Sequence, residues 1–197
     1  MLYAKRERFE KLSRAVGRLF SKFPLEPNQW TLLSLVPALL GFYLLVSHTA
    51  FLGAAGLYLL AAFLDFVDGA VARHAGKTSK EGAYLDTVVD RYVEFLILFA
   101  LVFLYLPDLY IPSSAWIVLL LFGSLLTTYS KSAAKEKELT DKELRGGLLE
   151  RAERVTLLLL SLVLAKFEPL WTVYILAALA VFTNISALQR IVMALTK

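Results

Sequence analysis

Cysteine is missing from this sequence, which excludes disulfides, thiolate nucleophiles and zinc held by thiolates. Histidine is scarce: only His48 and His74 occur, and the topology argued below puts them on opposite sides of a membrane, so neither belongs to a ligand set. Charge is thin as well. Charged residues make up 19% of the chain and hydrophobic residues 58%, against about 45 to 50% apolar in a soluble domain. That balance excludes an ordinary soluble domain and marks an integral membrane protein. The formal charge of +4 is modest, and no nucleic-acid partner is expected. Residues 1–22 are charged throughout and lack the short apolar core of a cleavable signal. There is no internal repeat or low-complexity linker, and 197 residues suit one compact bundle.

What the chain has in abundance is apolar helical sequence. Residues 1–24 read as an amphipathic juxtamembrane helix, with Phe9, Leu12, Val16, Leu19 and Phe20 at helical spacing. Lys5, Arg6, Arg8, Lys11, Arg14, Arg18 and Lys22 take its other faces, as on a helix lying on an anionic surface. Pro24 ends it. Residues 25–197 then form one all-α domain of six transmembrane helices, expected near 29–47, 51–73, 82–106, 114–134, 146–166 and 170–193. Each needs roughly 20 residues to cross ~30 Å of hydrocarbon.

Three of these spans are long enough only if charged residues are counted in. The uninterrupted apolar runs Phe51–Leu64 and Phe95–Leu106 are too short alone, so the aspartates between them lie at membrane depth near one end of the bundle. The fifth span must likewise include Glu150, Arg151, Glu153 and Arg154. Lysine and arginine concentrate in alternate connections, which predicts both termini and the acidic end in the cytosol. Trp30, Trp116 and Trp171, near predicted span ends, are expected as interfacial anchors.

The chemistry concentrates between Asp65 and Asp90. Asp65 and Asp68 are three apart and Asp86 and Asp90 four apart, so each pair projects from one helix face. Packed side by side, two such helices bring four carboxylates together, which in a low-dielectric site calls for protons or cations. Oxygen ligands without histidine or cysteine favour Mg²⁺ or Mn²⁺, with Ca²⁺ a third candidate, over zinc or copper. A pair of such ions is a known clamp for displacement at phosphorus, which points to a pyrophosphate-containing substrate. Arg73, one turn beyond Gly69, suits phosphate oxygens, although taken alone it reads rather as a snorkelling, positive-inside arginine.

These residues together resemble the CDP-alcohol phosphotransferase family, whose signature is D-x2-D-G-x2-A-R-x8-G-x3-D-x3-D. Asp65, Asp68, Gly69, Ala72, Arg73, Gly82, Asp86 and Asp90 supply every element at the family spacing. The resemblance implies a six-helix membrane enzyme, a homodimer, that moves a substituted phosphoryl group from a CDP-linked alcohol to an acceptor hydroxyl and releases CMP. It implies metal ligation by Asp65, Asp68 and Asp86, with Asp90 shared between the metal site and proton removal. Gly69, Arg73 and Gly82 would line the nucleotide pocket, with Asp68 and Ala72 beside them. Pro27-Asn28-Gln29-Trp30-Thr31 is similar to the family's Pro-Asn-x-x-Thr entry, which adds Asn28 and Thr31 to that pocket. On physical grounds alone those polar residues serve equally as a helix start.

For the acceptor, Lys131 and Lys135 on the fourth span and Arg151 and Arg154 on the fifth make a basic set that suits an alcohol carrying its own phosphate. The alternative is structural: Glu150 and Arg154 pair within the helix and the lysines snorkel. The stretch Gly147–Arg154 resembles the E-R-x-E-R segment of the inositol-phosphate-using branch, the phosphatidylinositol-phosphate and archaetidylinositol-phosphate synthases. Tyr129–Lys135 resembles that branch's Y-x-K-A-R-A-E run but departs from it at Ala133 and Lys135. The expected activity is transfer from CDP-diacylglycerol or CDP-archaeol to an acceptor such as inositol 1-phosphate at the cytosolic face, among membrane lipids. CDP-inositol as donor and glycerol 3-phosphate as acceptor remain open. Two rivals are an intramembrane prenyltransferase and a divalent-cation transporter. The first lacks the Gly-x2-Ala-Arg link, and the second needs polar access through the outer halves of the second and third spans, which hold no ionisable residue.

Overall fold

The computed structural model describes residues 2–139 and 148–196, with side-chain surroundings from Glu10 onward. Among the described residues the chain folds into eight α-helices, with an isolated bridge between Leu109 and Ile111. They are α1 (Leu2–Phe20), α2 (Pro27–Leu33), α3 (Leu35–His48), α4 (Phe51–Ala75), α5 (Lys80–Val102), α6 (Ser113–Glu136), α7 (Arg151–Ala165) and α8 (Pro169–Leu195).

The first expected span is two helices. Pro37 has no amide to offer the carbonyl of Leu33, and its ring crowds that carbonyl, so the ladder breaks at Ser34. At the break the Ser34 hydroxyl and amide both donate to the Thr31 carbonyl, at 2.7 and 3.2 Å. The next connection is tight, with Thr49 in the left-handed region at φ 47° closing α3 before α4 begins. At the other end of α4, Gly76 adopts φ 66°, a conformation only glycine takes without strain, and the Lys77 amide donates back to the Ala72 carbonyl at 2.9 Å.

Among the described residues, four spans are long and apolar enough to cross a membrane: Pro27–His48 taken together, Phe51–His74, Ser113–Glu136 and Pro169–Leu195. The other two expected spans fall short by that measure for identifiable reasons. Helix α5 carries Lys80, Glu81, Asp86, Asp90, Arg91 and Glu94 along its first two thirds. Helix α7 has 15 residues, about 22 Å of rise against ~30 Å of hydrocarbon. Residues 146 and 147 of the expected fifth span, Gly147 among them, lie outside the described residues, and residues 148–150 are not helical. Glu150 instead caps α7, with its own amide donating to Glu153 Oε2 at 3.0 Å.

Helix α4 is the hub, packing against α1, α2, α3 and α7, while α6 runs along α8. Leu45, Tyr58, Ile97, Leu98, Leu101, Leu158 and Leu176 fill the core. Leu39, Leu40, Leu59, Phe122 and Val118 point outward and exposed, as a surface wetted by hydrocarbon rather than water requires. One tryptophan differs from its expected role as an anchor. Trp30 is buried, with its ring edge-on to Phe20 and Phe23, and it fixes α1 to the bundle; Trp171 is exposed.

Candidate active site

The second half of α4 and the first half of α5 lie at the end of the bundle that carries their connection, Gly76–Ser79. Ser79 caps α5 by accepting from the Gly82 amide at 2.9 Å, which fixes the first turn of α5 and hence the phase of every carboxylate after it. Asp65 and Asp68 from α4 and Asp86 from α5 each bring one carboxylate oxygen within 4.8 Å of the others. Asp68 is buried, and its Oδ2 has no hydrogen-bond partner among the described residues. Three converging hard oxygens, one of them orphaned in a dry place, fit a divalent cation such as Mg²⁺ or Mn²⁺.

Asp90 is buried one turn further along α5 and outside that trio of oxygens. It pairs with the Nη2 of Arg151, whose Nη1 lies 3.2 Å from Asp65 Oδ2. Arg151 reaches this position because the Glu150–Glu153 cap starts α7 immediately before it. One guanidinium therefore bridges α7, α4 and α5 across the edge of the acidic cluster.

A cleft opens beside the carboxylates and is lined from three sides. Helix α2 contributes Pro27, Asn28 and Thr31; α4 contributes Asp68, Gly69, Ala72 and Arg73; α5 and its lead-in contribute Ser79, Gly82 and Asp86. All the residues expected at a nucleotide pocket thus share one cavity. The start of α2 is capped by Glu26 and Gln29, with the Glu26 amide donating to Gln29 Oε1 at 2.8 Å. That leaves the side chain of Asn28 to the cleft, while Thr31, which also lines it, donates its hydroxyl to the Pro27 carbonyl at 3.3 Å. Two glycines are there for space: a Cβ at Gly82 would sit 3.0 Å from Asn28 Oδ1, and one at Gly69 would sit 3.1 Å from Arg73 Nη1.

The basic residues divide. Arg154 is buried and paired with Glu94 on α5, its Nε and Nη2 both on that carboxylate, so its partner is across the bundle rather than Glu150 on its own helix. Lys131 is half-buried and Lys135 exposed on the last two turns of α6, at the same end of the bundle.

Several polar residues here escaped the sequence reading. Glu94, 2% exposed, also pairs with Arg91 at 2.6 Å, and Arg91 donates to the Ser124 hydroxyl at 3.0 Å. Its signal was available, because Glu94 continues the four-residue stripe of Asp86 and Asp90. Arg190 of α8 donates to the Thr127 carbonyl at 2.8 Å and lies within electrostatic reach of Arg154 and Glu150. Nothing local in the sequence distinguishes Arg190 from a terminal snorkelling arginine.

Comparison with known proteins gives a consistent picture. The profile of the family described as CDP-alcohol phosphatidyltransferase matches residues 25–194. The chain is 35% identical over 191 residues to the bifunctional IPC transferase and DIPP synthase of Aquifex aeolicus, a match that covers 91% of this chain but 42% of that protein. It is 33% identical over 187 residues to the archaetidylinositol phosphate synthase of Aeropyrum pernix, covering 92% of this chain and 89% of that one. In fold it is similar to the Mycobacterium tuberculosis phosphatidylinositol phosphate synthase PgsA1. The structure of that protein with CDP-DAG bound gives a TM-score of 0.80 at 23% identity, covering 94% of each chain. Its complex with manganese and citrate gives 0.81 at 24% identity, covering 93% of this chain and 89% of that one.

Proposed function

The chain belongs to the CDP-alcohol phosphatidyltransferase family, and from that premise we propose that it transfers a substituted phosphoryl group from a CDP-linked lipid to an inositol-phosphate-like acceptor, releasing CMP. It is an integral membrane transferase. The observation that carries the reading is the convergence of Asp65, Asp68 and Asp86 at the side of a cleft lined by Asn28, Thr31, Gly69, Ala72, Arg73 and Gly82.

In this reading Asp65, Asp68 and Asp86 hold Mg²⁺ or Mn²⁺, with Asp90 completing a two-ion centre. When bound, the ions supply Lewis-acid charge that neutralises the diphosphate and makes CMP a better leaving group. Asn28, Thr31, Asp68, Ala72 and the open surfaces of Gly69 and Gly82 seat the cytidine nucleotide, and Arg73 pairs with its phosphates. Asp90 takes the proton of the acceptor hydroxyl as that oxygen attacks the β-phosphorus. The bond from the β-phosphorus to the bridging oxygen breaks, and CMP leaves with that oxygen. Lys131, Lys135 and Arg151 meet the acceptor's phosphate, and Arg154 and Arg190 add positive charge behind them. The manganese-bound PgsA1 structure supports the choice of metal, and the archaetidylinositol phosphate synthase likeness supports the acceptor class.

The remaining architecture follows the same reading. Six spans, an interfacial helix over residues 1–24 ahead of a domain over 25–197, cytosolic termini and a site at the cytosolic face let lipid tails stay in the bilayer while the diphosphate reaches the carboxylates. A homodimer is expected from the family.

The test is Mg²⁺-dependent CMP release from CDP-diacylglycerol and CDP-archaeol, with inositol 1-phosphate, glycerol 3-phosphate, serine and free inositol compared side by side. Release with inositol 1-phosphate and not with free inositol is the expected result. The likeness to a bifunctional protein twice this length favours one second arm, CDP-inositol as donor with inositol phosphate as acceptor. CMP release in none of these, together with metal uptake into proteoliposomes, would replace the enzyme with a transporter.

A further inference from the structure

Helix α1 does more than lie on a surface. Its face toward α4 is built from small residues: Ser13 is buried, and Gly17, one turn on, is buried against the α4 backbone. A Cβ at Gly17 would fall 2.5 Å from the Ala70 carbonyl oxygen and 2.9 Å from the His74 Cβ, so the two helices touch backbone to backbone there. Val16 and Phe20 seal the contact against Trp30, Leu64, Val67 and Val71. This close approach carries Ser13 to the signature arginine, and Arg73 Nη2 donates to Ser13 Oγ at 2.9 Å.

Arg73 is therefore held from two sides. Gly69, lacking a side chain, lets the guanidinium fold back over α4, with Nη1 only 3.1 Å from where a Cβ would stand. Ser13 fixes the other arm of the fork. A planar fork with one donor committed to a rigid acceptor presents its remaining donors in one direction, here along the wall of the cleft that Arg73 lines. An arginine that only snorkelled from the end of α4 would have no use for a buried hydroxyl on another helix.

We propose that Ser13 is a positioning residue of the donor site: helix α1 orients the Arg73 guanidinium toward the diphosphate of the CDP-linked donor. The inference rests on the reading of Arg73 as a phosphate ligand given above. It makes the N-terminal helix part of the substrate site, so that how α1 seats on the bundle is felt at the nucleotide.

The experiment uses the full chain in detergent with CDP-diacylglycerol as donor and inositol 1-phosphate as acceptor, following CMP release. Ser13→Ala is expected to raise the donor KM about five- to tenfold, the size of one hydrogen bond to a charged group in a partly exposed place, with kcat and acceptor KM within about twofold of wild type. Ser13→Thr, which keeps the hydroxyl, restores the donor KM. In an Arg73→Ala background, which by itself raises the donor KM, Ser13→Ala adds nothing, because the group it positions is gone. Wild-type donor KM in Ser13→Ala beside a raised one in Arg73→Ala overturns this inference and leaves the Arg73 reading standing. An Arg73→Ala enzyme with unchanged donor KM overturns both. Equal rises for donor and acceptor together with a lowered thermal midpoint overturn the positioning role in favour of simple packing.

Discussion

Within two turns of α5 the protein buries carboxylates in two opposite ways. Asp86 joins Asp65 and Asp68 in a cluster whose oxygens crowd within 4.8 Å and include one with no hydrogen-bond partner among the described residues. At that separation and an effective dielectric near 20, each like-charged pair repels by about 3 kcal/mol. Glu94, two turns along from Asp86 and more deeply buried, has both oxygens engaged by Arg154 and a further pairing with Arg91. Burial of charge is common to both regions, so burial alone does not identify a site. The difference lies in satisfaction: one region is complete with the chain's own groups, and the other keeps repulsion that Arg151 relieves in part and a bound cation would relieve further. The first is built to stay and the second to receive.

The largest effect expected from this contrast is on turnover. Asp68→Asn removes one oxygen ligand and one negative charge from the unsatisfied cluster, and transfer should fall by about a hundredfold or more, the several kcal/mol that Lewis-acid charge supplies. The same change relieves repulsion and leaves an amide of equal size, so the thermal midpoint in detergent should hold or rise. A fall in midpoint with CMP release intact would place Asp68 among the structural charges and erase the distinction.

Glu94→Gln should do the reverse. It strands Arg154, 2% exposed, without its ion-pair partner and leaves half-buried Arg91 with Asp90 alone, and breaking a buried pair from one side costs about 3–5 kcal/mol. Denaturation of the variant should show that loss, while the fraction that remains folded keeps more of its turnover than Asp68→Asn does. If Glu94→Gln were as stable as wild type but as inactive as Asp68→Asn, the satisfied network would belong to the reaction and not to the scaffold.

The acidic cluster was legible in sequence because its spacing is set by local helix geometry: i, i+3 and i, i+4 put Asp65 with Asp68 and Asp86 with Asp90 before any tertiary contact is known. The bounds of α4, α6 and α8 were legible for the same reason, since apolar runs act locally, whereas the break before Pro37 and the short α7 were not. What was hidden depends on which helix faces which. The pairing of Asp90 with Arg151 depends on a different helix, over sixty residues away. The burial of Trp30 requires α1 to fold back onto α4, and the hydrogen bond from Arg73 to Ser13 depends on the same docking. Arg154 reads as a pocket residue in sequence and sits as the partner of Glu94 in space, because an arginine's reach lets its charge be taken up far from its own backbone neighbours.

Arg151 stands between the two regions, and its replacement sharpens the contrast with the smallest expected effect. Its guanidinium lies on Asp65, a cluster member, and on Asp90, so it already contributes part of the positive charge that the carboxylates call for. A cation arriving at Asp65 must share that oxygen with a resident arginine about one-third exposed to solvent, which screens the competition but does not remove it. Arg151→Gln should therefore tighten Mn²⁺ binding, by about three- to tenfold or roughly 1 kcal/mol, in a titration of free Mn²⁺ by electron paramagnetic resonance with no substrate present. Looser binding would mean that Arg151 holds Asp65 and Asp90 in ligating positions and belongs with Glu94 in the scaffold. If binding tightens while the KM for inositol 1-phosphate rises, the same side chain serves two masters in turn. Loading the carboxylates then frees a guanidinium at the point where the acceptor's phosphate must dock, and donor and acceptor sites are coupled through one arginine.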